Sequence, residues 1–247
     1  MEYKVSAIIV YNNEEQLQQA KRYLEGQSVA VEQVFLDNRG RRFSCAAEAL
    51  NYGASRAAGE YLVFLHQDLY LWDSRGLQTY CEFLSAHPDA IAGPAGVHAR
   101  YGVVTDLYLK EGQPVPGTPA QGKQLTVDAL DECLLAMKRQ TWEDLGFDPV
   151  CCDDWHGYGM DICFANRLRG GQNVMLPLYA CHGSQGNPHT RAFRRAMSRL
   201  VEKYRRTSLG MLRGCCISIP CRRSALWWYC LKEEIKDAVR TLRRKVS

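Results

Sequence analysis

The sequence predicts an α/β fold, a mixed and mostly parallel sheet flanked by helices, with basic helices at the C-terminal end. Three observations predict it. Three short apolar runs near the N-terminus each end abruptly in polar residues, helical patterns separate those runs, and the chain turns strongly basic from Arg191 onward.

The first run, Tyr3 to Val10, reads as a buried strand that Tyr11, Asn12 and Asn13 stop before an amphipathic helix, Glu14 to Glu25. A second strand, Gln33 to Leu36, ends in Asp37 and Asn38. After a basic turn (Arg39, Arg41, Arg42), a small-residue helix from about Cys45 to Ala58 is closed by Gly59. The third strand, Tyr61 to Leu65, ends in His66, Gln67 and Asp68. Strands separated by helices lie parallel, so all three polar ends share one sheet edge, the edge at which open α/β sheets bind ligands. There Asp68 either meets a metal ion or nucleotide phosphate, or caps the following turn.

In the second half, Leu134 to Lys138 is a short apolar run followed by TWEDLGFDP. Asp153 to Asp161 (DDWHGYGMD) then leads into a helix, Ile162 to Leu168, ended by Gly170 and Gly171. Asp161 stands where an Asp commonly caps a helix and also where it can serve as a base. Gly157 and Gly159 allow close backbone approach, and Trp155 and Tyr158 offer flat faces suited to a sugar ring. Asn173 to Leu178 and Tyr179 to His182 read as a further strand, running into Gly183, Ser184, Gln185, Gly186 and Asn187. Glu111 to Lys123, rich in Pro and Gly, reads as a flexible loop able to act as a lid.

The segments VYNNEE, LDNRG, AEALNYGASRAAGEYLVFLHQDL and HGYGMDICFANRLRGGQ resemble the family 2 glycosyltransferases of GT-A fold, over residues 4 to 190. The resemblance implies transfer of a sugar from a nucleoside diphosphate sugar to a glycan or lipid-linked acceptor, with inversion. It makes Tyr11 and Asn12 contacts of the nucleotide base, and Asp37 the contact of the uracil or ribose. Asn38 and Asn51 are grouped with them on the nucleotide. Asp68 falls at the metal motif and His182 at a C-terminal metal ligand, for Mn²⁺ or Mg²⁺; a plain turn histidine is the other reading of His182, and His66 shapes the turn. The motif departs from the family pattern, since HQD holds one carboxylate where two or more are usual, which weakens metal binding without substrate. DDWHGYGMD is similar to the Trp-Gly-Gly-Glu-Asp run of the β-1,4-galactosyltransferases; by that likeness Asp161 is the base and Trp155, His156 and Tyr158 meet the acceptor. The single carboxylate leaves a rival open, a non-catalytic nucleotide-sugar or polyanion-binding protein on the same scaffold. A nucleotidyltransferase of similar sheet topology is a third.

Composition narrows the classes. There is no GxGxxG or GxxxxGK turn, against a Rossmann dehydrogenase or P-loop NTPase, and no CxxC pair. Eleven cysteines without a secretory signal predict reduced thiols and a cytoplasmic protein. Apolar stretches are too short to span a bilayer. Residues 191–247 carry 16 Lys and Arg against 4 Asp and Glu, a net of +12 within a chain total of +4, which leaves −8 for residues 1–190. The expected division is therefore a catalytic domain, 1–190, and a basic helical extension, 191–247. Within the extension, Arg191 to Arg206 and Ala225 to Lys245 read as helices, the second with an apolar stripe of Trp227, Trp228, Leu231, Ile235, Val239 and Leu242. Such a helix suits an anionic membrane surface, giving a peripheral location, or packs on the catalytic domain. No nucleic-acid module accompanies the charge.

Overall fold

The computed structural model describes residues 3–110, 112–184 and 190–246, the last ten of these by backbone alone. In chain order the elements are β1 (Val5–Tyr11), α1 (Glu14–Glu25), β2 (Val31–Asp37), α2 (Ala46–Ala54), β3 (Tyr61–Leu65), β4 (Leu69–Leu71), α3 (Gly76–Ala86), β5 (Ile91–Gly93), β6 (Ala95–His98) and β7 (Gly102–Thr105). They continue with β8 (Leu125–Thr126), β9 (Ala129–Leu130), β10 (Leu134–Lys138), α4 (Arg139–Leu145), α5 (Tyr158–Leu168), β11 (Asn173–Met175), β12 (Ala180–His182), α6 (Arg191–Tyr204), β13 (Met211–Gly214), β14 (Ile217–Pro220) and α7 (Arg223–Val246).

The main sheet has the order β2-β1-β3-β10-β5-β11-β8. β1 pairs in parallel with both β2 and β3, and β5 with β11, whereas β10 is antiparallel to β3 and β5, and β8 to β11. Five of the seven strands thus point one way, and β10 and β8 are reversed. Small side pairings add β4 with β12 and β6 with β7 and β9, and β13 and β14 form a hairpin.

Local chemistry explains the edges. α1 starts where the Asn13 side chain accepts from Gln16 N (3.2 Å), with Glu14 and Glu15 in the first turn, and it buries Leu17, Ala20 and Leu24 at helical spacing. α2 ends at Ala54, short of the expected Ala58. Gly59 therefore closes no helix. It lets the chain pass β1, where a Cβ would stand 2.6 Å from Ser6 N, and its own N–H donates to Ser6 Oγ (2.7 Å).

The sheet is buried on both faces, as period-two alternation requires: along β1, Ile8 packs into one core, and Val5, Ala7 and Ile9 into the other, with α1 and α3. The first core holds α2 and α5. It also holds Phe193, Ala196, Met197, Leu200, Val201 and Tyr204 of α6, Leu212 and Ile217 of the hairpin, and Leu226 of α7. The boundary expected at residue 190 falls inside this continuous core. All eleven thiols are free. Among the described residues, no helix is long and apolar enough to cross a membrane.

Candidate active site

The carboxyl ends of β1, β2 and β3 lie side by side and open into a cavity of about 940 Å³, lined by Tyr11, Asn12, Asn38, Arg39, Arg41, His66, Gln67 and Asp68 among others. Gln67 ties two of these ends together: its Oε1 accepts from Asn12 N (2.8 Å) and Asn13 N (2.9 Å), and its Nε2 donates to Asn12 Oδ1 (2.9 Å). Asn38 holds the third end, its N–H donating to Tyr11 O (2.8 Å) and its Oδ1 accepting from Phe43 N (2.8 Å).

Two expected nucleotide contacts are not among the residues that line this cavity. Asp37 does not line the cavity; its carboxylate is gripped by the Arg39 guanidinium, which holds its pKa down at about 2, and Arg39 also reaches Glu14 (3.2 Å). Asn51 spends its whole amide on packing. It donates to Phe147 O (2.7 Å) and accepts from Trp142 Nε1 (3.1 Å) and Phe147 N (3.0 Å), joining α2 to α4 and the loop after it.

At the end of β3, ligand atoms of His66, Asp68 and His182 lie within 4.8 Å of one another. β12 brings His182 in by pairing antiparallel with β4, and Gly183 N donates to Asp68 O (2.8 Å). His182 Nε2 stands 3.6 Å from Asp68 Oδ1, buried and, among the described residues, without a hydrogen-bond partner. Burial, then the nearby His182, holds the His66 pKa down, so its imidazole is neutral as a ligand requires. An orphaned ring nitrogen beside a buried carboxylate and a neutral second imidazole fits a divalent metal, with His66 as a third ligand beyond the two expected. The His66 imidazole is oriented by a 3.1 Å hydrogen bond between its Nε2 and the Tyr158 hydroxyl.

A second cavity of about 380 Å³ adjoins the first, sharing His66, Glu132, Trp155 and Ser184 with it. Trp155 and His156 line it, whereas Tyr158 lines the first cavity. Val115 and Pro116 form part of its wall. The stretch expected to be a lid is pinned there: the Asp106 carboxylate accepts from Ala120 N, Gln121 N and Gly122 N (2.8, 3.2 and 3.0 Å), and Thr118 N donates to Val103 O (2.7 Å). Glu111, and Gln185, Gly186 and Asn187 of the other expected loop, lie outside the described residues.

Asp161 lines neither cavity. α5 begins earlier than expected, capped by Gly157 in the left-handed region (φ 88°), which places Asp161 inside its first turn and turns it toward α6. There it is 3% exposed, accepting from Tyr204 Oη (2.7 Å) and paired with Lys203 Nζ (2.8 Å). Burial raises its pKa against the pull of Lys203 and Tyr204. Ligand atoms of Cys151 and Cys152 converge on the same carboxylate, but the Lys203 ammonium already occupies it.

The acid that does face both cavities is Glu132. Its Oε1 accepts from Gly159 N (3.0 Å), a contact that a Cβ on Gly159 would block at 2.7 Å from Glu132 Cγ. Burial pushes its pKa up to about 8. Since β10 runs antiparallel to β3, the residues before β10 share the sheet edge of those after β3, and His66 N donates to Cys133 O (3.0 Å). The signal in the sequence was the Asp131-Glu132 pair ahead of an apolar run.

Solved structures match this fold, three of them as follows. GalNAc-T7 with UDP, GalNAc and Mn²⁺ superposes with a TM-score of 0.59 at 14% identity, over 81% of this chain and 48% of that one. The mannosyltransferase PcManGT from Pyrobaculum calidifontis, in complex with GDP-Man and Mn²⁺, gives 0.56 at 17% identity, over 84% and 66%. S. aureus TarS 1–349 in complex with UDP gives 0.53 at 14% identity, over 83% and 66%. The fold is GT-A. The chain spans from about half to just under two thirds of the length of these GT-A chains. No family model and no curated protein matches it by sequence.

Proposed function

We propose that this GT-A protein is a glycosyltransferase that moves a sugar from a nucleoside diphosphate sugar to an acceptor hydroxyl with inversion, and that Glu132 is its base. The observation that carries this is Glu132 standing on the wall between the two cavities, beside the His66, Asp68 and His182 cluster. Tyr11, Asn12 and Asn38 take the nucleoside in the larger cavity. Trp155 and His156 take the acceptor in the smaller one. Glu132 Oε2, with Oε1 held by Gly159 N, accepts the proton of the acceptor hydroxyl as its oxygen bonds to the anomeric carbon and the bond from that carbon to the diphosphate breaks. His66, Asp68 and His182 would hold Mn²⁺ or Mg²⁺, which supplies positive charge against the departing diphosphate. The likeness to chains solved with UDP, GDP-Man and Mn²⁺ supports the donor class and the metal.

The single carboxylate in the His66, Asp68 and His182 cluster favours a second reading, a nucleotide-sugar or polyanion binder without turnover. The test is a set of nucleotide sugars with Mn²⁺, read both by calorimetry and by release of nucleoside diphosphate. Saturable binding with release is expected; binding without release makes the protein a binder. Asp68→Ala is expected to keep the fold and to lose the metal dependence of nucleoside diphosphate binding, and unchanged affinity in that variant would remove the metal cluster from the site.

A further inference from the structure

α7 is turned inside out for a helix on a globular surface, where the apolar stripe normally faces the core. Its inward side carries Leu226 and Glu233, both buried, with Tyr229 and Cys230 half-buried beside them. On the outward side Trp227, Trp228 and Ile235 are 58%, 64% and 56% exposed. At about 100° per residue these three and the half-exposed Leu231 fall within one arc of about 100°, opposite the buried side. The two indoles meet edge to face, with ring centroids 4.7 Å apart.

Positive charge borders one side of the arc. Lys232 lies about 40° from its edge there; on the other side Arg223, at the same distance, is paired with Glu202 (2.8 Å), and the exposed Glu234 lies nearer. Arg206, Arg222 and Lys232 are exposed and make no ion pair among the described residues, within a segment of net charge +12. Two adjacent tryptophans and an isoleucine, beside Lys232 in a segment of net charge +12, match the boundary of an anionic bilayer, where indoles sit at headgroup level and each nearby cation is attracted.

The inward side of α7, opposite this face, adjoins the second cavity. The β13–β14 hairpin, whose turn residues Cys215 and Cys216 line that cavity, leads directly into α7, and Tyr229 of α7 neighbours Cys216. The cavity walls are largely apolar there: Leu107, Leu109, Val115, Met160 and Phe193.

We propose that the Trp227–Trp228–Ile235 face of α7 docks the protein on an anionic membrane, and that the acceptor in the cavity beside it is a lipid. The docking stands by itself; the identity of the acceptor rests on the transferase reading.

The full chain is sedimented with vesicles of phosphatidylcholine, alone or mixed with phosphatidylserine. Binding is expected only to the mixed vesicles, with loss at high salt and a blue shift of tryptophan emission. Trp227→Ser/Trp228→Ser, at exposed positions, is expected to keep the melting temperature and the nucleotide affinity in vesicle-free solution while vesicle partition falls by about tenfold or more. Absence of binding to mixed vesicles at low salt overturns the proposal, as does a double variant that sediments like the parent. A dimer in vesicle-free solution whose tryptophans are shielded from a soluble quencher assigns the face to a second copy and overturns it too. Nucleotide binding and sugar transfer are measured separately, so their failure counts against the proposed function and leaves the vesicle result standing.

Discussion

Glu132 and Asp161 are both acids close to the start of α5, and their surroundings give them different tasks. Asp161 has a cation and a phenol on its carboxylate; Glu132 has only backbone N–H groups, at Gly159 and Gly157, and faces a cavity on either side. Its raised pKa sets a pH signature. The folded chain holds the Glu132 proton up to about pH 8, whereas a glutamate in water gives it up near 4.5. The stability this contributes is therefore complete below 4.5 and lost as pH rises through 8, while the base form needed for transfer appears over the same rise. We expect kcat/KM to climb with pH to a plateau above about 8. Glu132→Gln should keep nucleotide binding, lower transfer by about 10² to 10⁴, and abolish that limb of the profile. A variant with near-full turnover and an unchanged profile would move the base to another residue.

At the scale of elements, Asp161 is the clasp between α5 and α6. Lys203 bridges it to Asp148 (2.8 Å to each), tying the segment after α4 to both helices. Removing the carboxylate leaves the buried Tyr204 hydroxyl only the Asp161 carbonyl (3.0 Å), and Lys203, 34% exposed, keeps Asp148, which softens the loss. Asp161→Ala is accordingly expected to cost about 2 kcal/mol, below the range for breaking a fully buried pair. Urea unfolding measures it. Turnover per folded molecule should change little, and a large fall in that quantity with stability intact would return Asp161 to the chemistry.

At the scale of the molecule, α6 and the hairpin complete the core that covers one face of the main sheet. A chain cut after residue 190 would expose the faces of α2 and α5 that Phe193, Met197, Leu200 and Tyr204 now cover. We expect it to aggregate or to lose cooperative thermal unfolding, because each large core side chain removed withdraws about 2–5 kcal/mol from a typical total of about 5–15. A truncated chain that melts cooperatively near the parent temperature would show the extension to be separable after all. The charge of residues 191–247 and their packing are independent facts: the buried sides of α6 and α7 hold the core while Arg191, Arg195, Arg222 and Lys232 are exposed.

Local pattern was enough for the first three strands and for α1, whose bounds Glu14–Glu25 follow from its cap and its 3.6-residue period. It also placed the polar ends of those strands at one edge, and with them Tyr11, Asn12, Asn38 and Asp68, because parallel strands joined by helices leave no other arrangement. What the sequence could not carry was direction and rotation. β10 and β12 lie in reversed pairings, and only their antiparallel register brings Glu132 and His182 to that edge. An early start to α5 rotates Asp161 inward, onto Lys203 of a helix 42 residues on. Side-chain type and spacing are local quantities. Which partner waits for a side chain is set by packing between distant segments, and that decided which acid is buried and which faces the cavity.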